Sequence, residues 1–251
     1  MRTYSVVFFM YIWLSFLLAD EPIAIITKSR GNVKYKTYSE KKFRSSALVN
    51  TPIFHGNEII TKAKSFTKIV YLDDLSMVST YPKTEIIING IIEDRMVRKQ
   101  VDLQSGIVRI EASKQIISEF KLQTPHSELT CHQCDFWIIS DIKDGDHFYI
   151  ISGDGFITNP SINKTIKLEN DSTIISHRDA IMEISQTTKA ANQFLGLLML
   201  DADEMSEMSN DELEMTNQII DRANTTKSNV VEIRLKNALK MERRIILTYT
   251  K

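Results

Sequence analysis

"TPIFHGNEIITKAKSFTKIVYLDDLSMVSTYPKTEIIING", Thr51–Gly90, decides the fold. It holds four β-rich pieces, each a few residues long, separated by His55-Gly56-Asn57, Asp73-Asp74 and Tyr81-Pro82-Lys83. Pieces this short bury an interior only by sharing it through many tight turns.

The same pattern runs outward from it. Upstream, "NVKYKTY" alternates Val33, Tyr35 and Thr37 with Lys34, Lys36 and Tyr38, as a half-buried strand does. Downstream, "IISEFKLQTP" predicts a one-sided strand with Ile116, Ser118, Phe120 and Leu122 on one face. The opposite face takes Ile117, Glu119, Lys121 and Gln123. "CDFWIISDIKDGDHFYIISGDGFITNP" predicts a hairpin through Lys143-Asp144-Gly145-Asp146 and a second turn at Gly153-Asp154-Gly155. Strands spaced about ten residues apart, with no helical pattern between them, indicate an all-β solenoid, sandwich or barrel.

Near Gln186 the period changes, and residues 186–251 read as a helical C-terminal segment. Ser209 and Glu212 have the spacing of a capping box opening a helix through Leu213, Ile219 and Ile220. A further helix is predicted over Val230–Leu247. This tail either packs on the domain or serves as a partner-binding or coiled-coil segment.

With 251 residues, 43% hydrophobic and 25% charged, the chain has the composition of a globular protein with a sizeable core. Its net charge of -1 gives no concentrated positive surface for nucleic acid. "MRTYSVVFFMYIWLSFLLADEP" places Arg2 before an apolar run from Val6 to Ala19, broken only by Ser15. Such a run is short of the roughly 20 residues of a membrane span and suits a secretory signal, expected over residues 1–19 with cleavage near Ala19. The alternative is an uncleaved anchor, the one membrane association expected. Either way the remainder is expected outside the cytoplasm, in the periplasm or beyond it.

The order of short signatures resembles the FecR domain family over roughly Ile23–Ile184, so the domain is drawn as 23–185. Gly31 and Val33 in "GNVKY" match its opening strand, and "HGNEIIT" matches its glycine turn. "VYLDDLSMVSTYPKTEIII", "VDLQSGIVRI", "FKLQTP" and "SGDGFIT" match its later elements in sequence. The family continues from Thr-Pro, after five residues, into Val-Arg-Gly-Thr-x-Phe. Here Thr124-Pro125 and Phe136 keep that frame, but Cys131-His132-Gln133-Cys134 replace the turn. Regulators of this family carry a cytoplasmic sigma-factor-binding domain ahead of a membrane span, and only the signal-like run stands here, so an anti-sigma role is not expected. The resemblance implies an extracytoplasmic β-solenoid or curled β-sandwich used for protein contact.

Cys131 and Cys134 are the only cysteines. In a regular strand, residues three apart face opposite ways and lie about 10 Å apart, too far for a disulfide. The family frame puts a turn at His132-Gln133, which would close the gap and permit a Cys131–Cys134 disulfide. Free thiols, a redox pair and a metal site using Cys131, Cys134, His126 and His132 are the alternatives. No helix pattern follows Cys134 to lower a thiol pKa, and no zinc spacing is complete. "DIKDGDHF" lacks calcium-loop spacing, and Asp73-Asp74 fall on opposite faces if their strand continues. No nucleophile-elbow, zinc-helix or phosphate-loop motif occurs. The expectation is a non-enzymatic exported module without cofactor, contacting an envelope protein in sensing, signalling or assembly. A module for polysaccharide or a small ligand is the alternative, and a thiol or metal protein a lesser one.

Overall fold

The computed structural model describes residues 21–43, 45–177 and 181–198, and the backbone of 230–236 and 242–248. The signal-like run 1–19 and the capping-box helix at Ser209–Ile220 lie outside the described residues. Strands β1 (Ala24–Arg30), β2 (Val33–Lys36), β3 (Ser45–Ser46), β4 (Pro52–Ile53) and β5 (Asn57–Thr61) come first. Then follow β6 (Phe66–Tyr71), β7 (Met77–Thr80), β8 (Thr84–Glu93), β9 (Met96–Ala112) and β10 (Phe120–Gln123). After these come β11 (Glu128–Asp141), β12 (Gly145–Asn159), β13 (Lys164–Lys167), β14 (Ser172–His177) and β15 (Met182–Gln186). Helix α1 (Lys189–Leu198) and strands β16 (Val230–Lys236) and β17 (Glu242–Thr248) complete the order. The protein is mainly β, as its short punctuated pieces require.

Fifteen strands form one open sheet, and three long strands make it curl. The first part of β9 pairs with β8 and, in parallel, with β10; its last part pairs with β7 and β11. Likewise β11 gives residues 128–131 to β10 and 134–140 to β9, while β12 gives 145–150 to β14 and 156–159 to β13. The inner faces therefore close over one core that includes Ile26, Val101, Ile110, Phe120, Phe136 and Phe148. Along β9 the inward residues are first Val97, Val101 and Leu103, then Val108, Ile110 and Ala112. That change of phase falls at Gly106, φ 111°, where a side chain would meet Thr84 Cα at 2.5 Å.

The outer face carries a second cluster of Phe66, Tyr81, Ile107, Trp137 and Ile139, covered by Phe194, Leu195 and Leu198 of α1. Ala191, Phe194, Leu195 and Leu198 are the buried residues of this helix, a spacing that makes one apolar stripe. Thr188 caps it, its Oγ1 accepting from Ala191 N at 3.1 Å. This is the one described part of the expected helical tail that is helical. Residues 230–236 and 242–248, expected as helix, form an antiparallel hairpin pairing Ile233 with Ile245. Val231, Ile233 and Leu235 alternate with Glu232, Arg234 and Lys236, a period of two that suits a strand.

Two further expectations change. The strand read from Ile116 begins only at Phe120, and Ile116 and Ile117 are exposed in the preceding loop. Gln115 ties the start of that loop to β11, its backbone N donating to His132 O at 2.7 Å. The turn expected at Gly153-Asp154-Gly155 is instead the middle of β12.

Candidate functional site

Cys131 and Cys134 are joined as a disulfide inside the continuous strand β11, with Cα atoms 6.1 Å apart. No turn interrupts the strand at His132-Gln133. A register shift against β12 falls between Cys131 and Gln133 and acts as a bulge. The extra residue restores Cys131 and Cys134 to the same buried face, while His132 and Gln133 point outward. Across from them Cys131 pairs with Gly155 and Cys134 with Gly153. A Cβ at Gly153 would lie 2.7 Å from Cys134 Cβ, and one at Gly155 would press on Thr130 O and lie 2.7 Å from Cys131 Cα. The glycines thus answer the close approach of the bulged strand and do not turn the chain.

The four candidate metal ligands do not converge. The two sulfurs bond each other, and exposed His132 lies 3.6 Å from Glu119. His126 Nε2 sits 3.2 Å from Asp141 O and 3.1 Å from Ile142 O. Beside His126, the carboxylate of Asp146 is buried and accepts from Ser140 Oγ at 2.6 Å and from Thr124 Oγ1. Burial pushes the Asp146 carboxyl above its usual range, although those hydroxyls oppose the shift. Thr124 also accepts from Ser127 N at 2.8 Å, so the Thr124-Pro125 turn is pinned to the start of β12.

The most concentrated electrostatics surround a residue that sequence reasoning passed over. Lys99 faces inward on β9 with a fully buried side chain, and its Nζ lies 2.6 Å from Asp73 Oδ2 and 3.0 Å from Asp74 Oδ2. The strand does not continue through Asp73-Asp74; the chain turns after Tyr71, so both carboxylates reach one cation. Gln115 joins them, accepting from Lys99 at 3.2 Å and donating to Asp74 Oδ2 at 2.6 Å. Asp73 Oδ2 accepts Val97 N at 2.8 Å, and Ser76 Oγ accepts Ser113 N at 3.1 Å. Burial alone would raise the Asp74 carboxyl, but hydrogen bonds from Ser76 and Lys99 and the lysine charge hold it below the usual carboxylate range. The network ties the 72–76 turn, the β8–β9 hairpin and the 113–119 loop into one end of the domain. A lysine between Arg98 and Gln100 reads as a solvated strand residue, and only its odd position in the inward set of β9 marks it.

Two features remain open to a partner. Strand β15 is the last in its sheet among the described residues and pairs only with β14. His177 N bonds Ile181 O and Thr187 N bonds Asp171 O, so the odd residues between them face β14 and the even ones face the edge: there Met182 is buried, its carbonyl accepting from Lys164 Nζ at 3.0 Å, and the amides of Ile184 and Gln186 lie on the exposed part. Under α1 lies a cavity of about 220 Å³ lined by Trp137, Tyr149, Asn192 and Leu195, and the buried Trp137 Nε1 has no hydrogen-bond acceptor.

No family model matches the chain, and no curated protein matches it. Among solved structures it is similar to two crystal structures described as a "putative anti-sigma factor" from Parabacteroides distasonis ATCC 8503. One is 12% identical with a TM-score of 0.46 over 57% of this chain and 64% of that one. The other is 12% identical with a TM-score of 0.46 over 77% of this chain and 99% of that one. The chain therefore spans a little under two thirds of the first of them. The FecR resemblance rests on the sequence motifs.

Proposed function

We propose that this chain is an exported, non-enzymatic FecR-like module that works by protein contact in the cell envelope, in sensing, signalling or assembly. The observation that carries the reading is the open part of the β15 edge, with two outward amides on the exposed residues Ile184 and Gln186. An edge of this kind takes up an extended segment of another protein as an added strand. Lys99, the two cysteines and Asp146 support the reading, because each is spent on a neighbour: Lys99 on Asp73 and Asp74, Cys131 on Cys134, Asp146 on Thr124 and Ser140.

The test is capture of a partner from crosslinked envelopes by the full chain and by Ile184→Pro. Proline there removes an outward amide while leaving the β14 bonds intact, so capture is lost and the melting temperature is kept. Capture that survives Ile184→Pro, or retention on glycan resin in place of a protein, refutes it. The orphaned Trp137 Nε1 at the cavity favours a second reading, a site for a small acceptor-bearing ligand. Quenching of Trp137 fluorescence by such a compound, absent in Trp137→Phe, would establish it.

A further inference from the structure

We infer that a basic corner of the domain, built by β1, β6 and the turns that follow β1, β5 and β7, is a docking surface for the acidic run 201–214 of the same chain. Lys28 of β1 stands directly opposite Lys68 of β6, and Arg30 stands opposite Phe66. Like charges directly opposite each other destabilise a strand pair, a cost that an anion between them removes. Just beyond, the turns carry Lys62, Lys64 and Lys83, all exposed. Hydrogen bonds join these turns into one rim: Asn32 N donates to Ser65 Oγ at 2.9 Å, Lys62 N to Asn32 O at 3.1 Å and Lys83 N to Lys62 O at 3.4 Å. Strands β1, β6 and β7 and the turns 31–32, 61–65 and 81–84 hold no acid. Glu85, two residues beyond Lys83, is the acid that flanks the corner, and further along the same outer face Glu111 and Asp135 each lie 2.9 Å from Arg109. The net charge of -1 conceals this segregation.

Charge and position together select the occupant. The run 201–214 carries seven carboxylates and no lysine or arginine, so it complements the six cations of the corner. Helix α1 brings the chain to that corner: its last residue, Leu198, shares a cluster with Phe66 and Tyr81. Phe66 is the strand partner of Arg30, and its ring centroid lies 5.3 Å from that of Tyr81, two residues before Lys83. Asp201 follows Leu198 by three residues, a reach of at most about 11 Å. A segment tethered this closely meets its site at an effective concentration on the order of millimolar, which favours it over a free polyanion or the same run of a second copy. The inference goes beyond the proposed protein contact and does not rest on it, because β1 and β6 lie toward the other end of the strand order from β15.

The test is zero-length carbodiimide crosslinking of the full chain, as an equal mixture of ordinary and isotope-labelled protein, read by peptide mass spectrometry. Amide links from Lys28, Lys62, Lys64, Lys68 or Lys83 to acids of 201–214, within one isotope and weakened by salt, are expected. Neutralising the first acids with Asp201→Asn, Asp203→Asn and Glu204→Gln should raise acetylation of those lysines by about two- to fivefold, the scale of exposed ion pairs. An unchanged circular dichroism spectrum shows that the variant keeps its fold. Links only between the two isotopes would assign the run to a second copy and overturn the inference. Links of 201–214 solely to lysines away from this corner, or lysine acetylation unmoved by the three substitutions, would overturn it as well. None of these readouts involves β15, so this inference and the proposed function can fail separately.

Discussion

Lys99→Met removes one charge and leaves the apolar stem nearly unchanged, which makes it a clean probe of the network that holds one end of the sheet. In the native protein the ammonium sits between two carboxylates whose side chains are 3% and 9% exposed. Without it, two acids stay out of water with only backbone, serine and glutamine donors, and Asp73 Oδ1 already lacks a partner. Breaking a buried pair by removing one member costs about 3–5 kcal/mol. For a domain of this size that lowers the melting temperature by roughly 10 °C or more. The sign with pH follows from Asp74. Its folded-state pKa is held below the unfolded value, so it stabilises the fold above that value and the contribution is lost as pH falls through the folded one. The gap between native and Lys99→Met protein therefore narrows below about pH 4. Urea unfolding followed by far-UV circular dichroism at neutral and acid pH measures both. Adding Asp73→Asn and Asp74→Asn to Lys99→Met restores most of the loss. A Lys99→Met protein within about 1 kcal/mol of native at neutral pH would refute the assignment of the lysine as the centre of this end.

Other expected outcomes are smaller in scope. Gly155→Ala forces a methyl against Thr130 O and Cys131 and should cost about 2–4 kcal/mol in thermal melts. Gly196→Ala, with nothing within 4 Å, should instead stabilise α1 by about 0.5–1 kcal/mol in the same melts. Native protein should show no thiol reactive toward an aromatic disulfide reagent until it is reduced. Replacing Cys131 and Cys134 by Ala should cost about 2 kcal/mol in urea, as the short loop they close implies. Asp146 has a folded-state pKa above its unfolded value, so it binds its proton more tightly when folded and its contribution falls as pH rises through that window. Asp146→Asn should therefore flatten the stability profile of the native protein just above pH 4, seen in urea titrations across that range.

The fold class was legible because Thr51–Gly90 alternates briefly and turns often, and β5 through β8 fall between the marked breaks. What the sequence concealed were the three long strands. A strand that changes neighbours halfway need show no break in its text, as at Gly106, while the cysteine bulge and Gly153-Asp154-Gly155 look like turns when they are crossings. Bulges also shift which residues face inward, and that is why three-apart cysteines share a face. The Lys99 network was hidden for a related reason. Its members, Asp73, Asp74, Lys99 and Gln115, come from distant segments, and the sheet alone brings them together. The hairpin at 230–248 was misread because its content of Lys, Arg, Leu and Glu favours helix, while its alternation favours strand.

The proposal that the module works by taking a partner's strand onto β15 is tested most directly by amide hydrogen exchange with the captured partner. Protection should appear at Ile184 and Gln186 and leave the amides of β2 and β5, on another branch of the sheet, unchanged. Binding that leaves residues 182–186 exchanging as in the free protein, with protection elsewhere, would contradict it.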